Sequence, residues 1–170
     1  PLDINSTGFT LRNCEVTVAD TSGQAVVAIV TDANAGGMTV ENCNFIGRQQ
    51  AGTVSAIRIV GGNDHIIRNN NFAGHYKISA GAIEITTTAA GNVLIEGNTI
   101  LNSTPASLVA INFLRASTAV VVGNVFGIKS GTTPVRVDEG RETVGADGGY
   151  ILTARNYYRN ASSVSAGTLL

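Results

Sequence analysis

The 170-residue chain has no tryptophan, three prolines, two histidines and two cysteines, and only 5% aromatic and 14% charged residues. Each scarcity excludes something. With few charges and a net charge of -1, the chain has no basic face to neutralise phosphates, so nucleic acid is not an expected partner. Two histidines and two cysteines that form no cluster do not make a zinc site, and no metal or cofactor is expected. No apolar run approaches the roughly 18 residues of a membrane span, so membrane insertion is not expected either. Lys, Gln and Glu are scarce, which argues against a helical bundle. The sequence opens on Pro1 with neither a secretory leader pattern nor a segment suited to cover a sheet edge, and the expectation is that more protein precedes it.

What is abundant is small and aliphatic. Hydrophobic residues make up 44% of the chain, mostly Ala, Val, Ile and Leu, and there are 20 glycines. Asn and Thr are also frequent. Such a composition suits many short strands joined by tight turns.

Two blocks recur. The first reads LRNCEV at 11–16, VENCNF at 40–45, IRNNNF at 67–72, IEGNTI at 95–100 and VVGNVF at 121–126, with a degenerate TARNYY at 153–158. The second reads AIVTD at 28–32, AIRIV at 56–60, AIEIT at 82–86, AINFL at 110–114 and PVRVD at 134–138. Up to the last copy of each, both keep a period of about 26–29 residues, the last offsets being 32 and 24, and such a period is the mark of a solenoid. Each block alternates with the strand period of two. Leu11, Val40, Ile67, Ile95 and Val121 form one inward column, and Val16, Phe45, Phe72, Ile100 and Phe126 a second. Ile29, Ile57, Ile83, Ile111 and Val135 form a third, and Thr31, Ile59, Ile85, Phe113 and Val137 a fourth. If like strands stack, the columns become ribs with a spacing of about 4.8 Å.

Between two strands of every turn lies the column Cys14, Cys43, Asn70, Asn98, Asn124 and Asn156. Asn tolerates the left-handed backbone of a sharp bend, and stacked amides hydrogen-bond along an axis. The two cysteines read as small, reduced core residues at the first rungs.

This pattern resembles the right-handed parallel β-helix of the pectate-lyase-like superfamily, and in character the β-helix domains of phage tailspikes and tail fibres. The resemblance implies an all-β, single-stranded right-handed solenoid of about six coils over residues 1–160, with 161–170 as a capping or interface segment. The superfamily also holds polysaccharide lyases, glycoside hydrolases and uronan epimerases, whose sites need clustered carboxylates or a calcium site. Asp3, Asp20, Asp32, Asp64, Asp138 and Asp147 are scattered over different coils, and Gly74-His75-Tyr76 does not match the Gly-His-Gly of polygalacturonases. No catalytic residue is assigned.

Three outward features remain. The column Arg58, Glu84, Asn112 and Arg136 could contact a glycan, or could simply be a solvated face with an Arg58–Glu84 pair. Arg12, Glu41, Arg68 and Glu96 alternate in sign, as a charge ladder would. Val26, Ala28, Val54, Ala56, Ala82, Leu108 and Ala110 read as a flat apolar outer face, which predicts contact between identical copies, a trimer being favoured, the alternative being a loop of the same chain that covers it. His65 falls among inward positions and reads as a core histidine. Together these readings predict a non-enzymatic structural or receptor-contacting module of a phage tail fibre, tailspike or capsid appendage. The expected location is a virion or the extracellular space, and other virion proteins and cell-surface glycan are the expected partners. The alternative is a carbohydrate-active enzyme of the same superfamily.

Overall fold

A computed structural model describes residues 2–18, 26–47, 53–76, 81–86, 90–102, 109–114, 118–128, 135–137 and 151–160; for 26, 53, 54, 128, 135–137, 151 and 158–160 it describes the backbone alone. Residues 139–149, the segment 161–170 and Leu108 lie outside these residues, as do the side chains of Val26, Val54 and Arg136.

The strands form three parallel sheets of six strands each, with a short two-stranded sheet beside them. The first sheet contains Leu2–Ile4, Val26–Thr31, Thr53–Ile59, Ile83–Ile85, Ile111–Phe113 and Val135–Val137. The second contains Thr10–Arg12, Thr39–Glu41, Ile66–Arg68, Val93–Glu96, Ala119–Val122 and Ile151–Ala154. The third contains Glu15–Val18, Asn44–Gly47, Asn71–Gly74, Thr99–Asn102, Val125–Ile128 and Tyr157–Asn160. The chain visits the sheets in that order on every turn, so one strand of each makes a rung. This is the parallel β-solenoid that the repeat predicts.

Registers match the repeat residue for residue. Ile57 pairs with Ile83 and Ile83 with Ile111. Ile67 pairs with Ile95, and Ile95 with Val121. Phe45 lies opposite Phe72, and their rings stack with centroids 4.8 Å apart and 10° between planes. These side chains are fully buried in one continuous core. Each contributes roughly 1.5–3 kcal/mol relative to an exposed position.

The amide column is a directed ladder. Asn98 Oδ1 accepts from the backbone N–H of Asn70 at 2.9 Å and from its Nδ2 at 3.0 Å. Asn124 Oδ1 serves Asn98 in the same way, and Asn156 Oδ1 serves Asn124. The Nδ2 groups of Asn70, Asn98, Asn124 and Asn156 also donate to the carbonyls of Val40, Ile67, Ile95 and Val121. Every ladder amide is buried, and this mutual bonding is what makes that tolerable.

The left-handed bend falls one residue earlier than predicted. Asn13, Asn42, Asn69, Gly97, Gly123 and Arg155 have φ of 54°, 53°, 55°, 63°, 65° and 52°, whereas the ladder residues themselves do not have positive φ. The bend residue turns the chain outward from the second sheet and sets the next side chain pointing in. Asn and Gly suit that conformation; Arg155 adopts it against its Cβ. Cys14 and Cys43 are free thiols, and burial pushes the Cys43 thiol up from its ordinary value.

Candidate functional site

Register places Val30, Arg58, Glu84, Asn112 and Arg136 in one column of the first sheet, with Asp3 beside Val30 at its start. Arg58 Nε donates to Glu84 Oε2 at 2.9 Å. Glu84 is only 7% exposed and Asn112 only 1%, so this stretch of the column is enclosed within the chain. Arg58 remains partly exposed, but its guanidinium is turned along the axis toward Glu84. The column is therefore aligned as the sequence predicts, yet Glu84 and Asn112 do not present themselves to a polymer outside.

The alanines are enclosed within the single chain. Ala56, Ala82 and Ala110 are fully buried and belong to the core, while Ala28 is half-buried against it. They do not make an exposed outer face. The backbone explains why. The N–H groups of both Ala56 and Ile57 donate to Ala82 O, at 2.8 and 3.1 Å, and those of Ala82 and Ile83 both donate to Ala110 O, at 2.8 and 3.4 Å. Two donors on one acceptor is the signature of a bulge, which interrupts the in-out alternation and lets neighbouring residues both face the interior.

Among the described residues, two grooves lie on the first three rungs, where the chain leaves the first sheet for the second. One groove, with a volume of about 490 Å³, is lined by Asp3, Ile4, Asn5, Val30, Thr31, Asp32, Ala33 and Val60. A second, of about 600 Å³, is lined by Thr7, Ala33, Asn34, Gly36, Gly37, Gly62, Asn63 and Asp64. Both include Ala33, so they adjoin. Stacked turns build the walls. Asp32 N–H donates to Ile4 O at 2.7 Å, Gly8 N–H to Gly36 O at 2.9 Å, and Gly37 N–H to Asn63 O at 2.8 Å. Thr31 Oγ1 accepts from Val60 N–H at 3.0 Å, and Asp32 Oδ1 from Asn34 N–H at 3.2 Å. Asp64 Oδ1 accepts from Asn92 Nδ2 at 3.0 Å. Gly62 has φ of 86°, and a Cβ there would overlap Ala35 O. The rungs can approach so closely only because that side chain is absent.

Behind this wall, His65 is fully buried in line with Met38 and Val93. Its Nε2 lies 3.0 Å from Gly61 O, and its Nδ1 has no hydrogen-bond partner among the described residues. Burial holds its pKa below the ordinary value, against the opposing pull of the Gly61 carbonyl and the Asp64 charge. The ring is therefore a neutral core group with its proton on Nε2, as its inward parity predicts. Burial likewise pushes the Tyr76 hydroxyl up.

The family model described as a right-handed beta helix region matches residues 3–132. The chain belongs to the right-handed β-helix family. No curated protein and no solved structure matches it significantly.

For a right-handed β-helix, the groove is a mixed surface of carboxylates, amides, a threonine hydroxyl, turn glycines and a few aliphatic groups. Such groups suit a hydroxyl-rich ligand, since carboxylate and amide oxygens accept from hydroxyls and amide nitrogens donate to them. Among the described residues, no group of three or more His, Cys, Asp or Glu could hold a metal ion. Sequence reasoning passed over these residues because Asp3, Asp32 and Asp64 occupy different columns. The available signal was position: Asp32 and Asp64 sit in the Gly- and Asn-rich turns that follow the second block, while Asp3 lies within the strand Leu2–Ile4 opposite Val30.

Proposed function

We propose that this chain is a non-enzymatic β-helix module of a viral appendage, a segment of a phage tail fibre, tailspike or capsid attachment, that acts as a rigid element and contacts glycan through the groove of its first three rungs. The observation that carries this reading is how the outward carboxylates of the strands are used. Glu41 Oε1 and Oε2 pair with Arg12 and Arg68, at 2.5 and 2.6 Å, and Glu84 pairs with Arg58. Those carboxylates brace adjacent rungs. With the amide ladder inside, they favour a stiff rod over a reacting surface. The viral attribution comes from the resemblance to tailspike and fibre β-helices, an analogy of fold.

One observation favours the alternative of a carbohydrate-active enzyme: Asp3 and Asp32 line the same open groove, and paired carboxylates flanking a sugar can act as acid and base. The discriminating experiment incubates the chain with bacterial surface polysaccharides and with pectate, then follows both retention and new reducing ends or unsaturated uronides. Retention without cleavage, weakened by Asp32→Asn, is the expected result. Cleavage that Asp32→Asn abolishes would overturn the structural reading in favour of the enzyme.

A further inference from the structure

The outer face of the second sheet changes character along the axis. One outward column runs Thr10, Thr39, Ile66, Leu94, Val120, Leu152. Its neighbour runs Arg12, Glu41, Arg68, Glu96, Val122, Ala154. The first column turns from threonine to aliphatic residues at the third rung, and the second carries charges through the fourth rung and aliphatic residues on the last two. Val120 is 38% exposed and Leu152 42%, and around the bend Val125 and Tyr157 are exposed as well. This apolar ground is flanked by two opposite charges. Glu96 on the fourth rung and Arg155 on the sixth are both exposed, and neither has an ion-pair partner among the described residues.

We infer that this face binds a second copy of the chain, with the two solenoids antiparallel and the two-fold axis running along the strands at the fifth rung. Charge complementarity selects the arrangement. Reversal about the fifth rung sets the fourth rung of one copy opposite the sixth of the other. Val120 and Val122 then meet their own counterparts, Leu94 meets Leu152, and Glu96 lies beside Arg155, twice by symmetry. A parallel pairing about an axis along the solenoid would keep each rung opposite itself, so Glu96 would face only the fourth rung of the other copy and Arg155 only the sixth, and the two opposite charges would not meet. The contact is isologous and closes as a dimer. It uses a face distinct from the first-sheet alanines.

The test is sedimentation velocity on the 170-residue chain over a dilution series. A reversible dimer is expected. Val120→Asp should give a monomer with an unchanged circular dichroism spectrum, the substituted side chain being at the surface. Glu96→Arg and Arg155→Glu should each weaken the dimer about tenfold, roughly what two exposed ion pairs supply, and the double variant should recover it. A wild-type monomer at every concentration, a trimer, a dimer indifferent to Val120→Asp, or a double variant as weak as the singles would each overturn the proposal.

Discussion

The first three rungs and the last three share one backbone and differ in almost everything laid on it. Outside, the early rungs carry the triad Arg12–Glu41–Arg68 and the two grooves of mixed polar and apolar lining, whereas the late ones carry Val120, Leu152 and Tyr157. Inside, the ladder starts on two thiols and continues on amides. Cys43 N–H donates to Asn70 Oδ1 at 2.9 Å, but its Sγ reaches only toward Glu41 O at 3.3 Å and Leu11 O at 3.8 Å. Parallel stacking fixes the backbone, so each column is free to change chemistry along the axis. The early rungs thus present charged and polar groups outward, and the last two mainly apolar ones.

The largest expected effect breaks the ladder in its amide half. Asn98→Ala strips the acceptor from Asn70 N–H and the donor from Ile67 O, both buried, and should cost about 3–5 kcal/mol in urea unfolding. Cys43→Ala in the thiol half should cost only about 1 kcal/mol. Equal losses would show that the two halves of the column are energetically alike. Cys43→Asn sharpens the contrast from the other side. An amide there can reach Leu11 O just as Asn70 reaches Val40 O, so a gain of about 1 kcal/mol is expected.

His65 provides a pH signature for the early half. Its folded pKa lies below the ordinary value of 6.5, so between the two the unfolded chain binds the proton and the native chain does not. Stability is complete above about pH 6.5 and is lost as pH falls toward the folded value, at a slope of up to about 1.4 kcal/mol per pH unit. Thermal melts of the wild type at pH 7.5 and 5.0 should show the loss, and His65→Met, matching the Met38 beneath it, should reduce the difference. An unchanged difference in the variant would assign the pH dependence to other groups.

How far the sequence revealed all this depended on whether a feature lay within a column. The ribs, the Asn ladder, the inward His65 and the Arg58–Glu84 pair were legible because stacked parallel strands make equivalent positions true neighbours. The burial of Ala56, Ala82 and Ala110 was not legible by parity, because parity counting assumes an uninterrupted pleat, and the paired donors onto Ala82 O and Ala110 O break it. The bend was placed one residue late because Asn suits both the bend and the ladder; the run Asn13, Asn42, Asn69, Gly97, Gly123 held the better signal. The grooves were not legible, since Asp3 of the first strand meets Asp32 of a turn in one groove and Asp64 lines the adjoining one, and these positions share no column.

The smallest expected effect separates the two halves of one charge column. Glu41 is buried between two arginines that are themselves half open to water, with side-chain exposures of 56% for Arg12 and 42% for Arg68. Its carboxylate accepts from both, so Glu41→Gln removes two attractions and leaves two cations on either side of a neutral rung. Water and salt screen the arginines, which holds the cost to about 1 kcal/mol at low ionic strength and less at 1 M salt. Glu96 occupies the same column one rung beyond Arg68 but is exposed, with no ion-pair partner among the described residues. Glu96→Gln, measured by urea unfolding at a protein concentration low enough to keep the chain monomeric, should change stability by less than about 0.5 kcal/mol. A loss at Glu96 equal to that at Glu41 would mean that the charge ladder extends through the fourth rung, and Glu96 would then be committed within its own chain rather than free to meet a second copy.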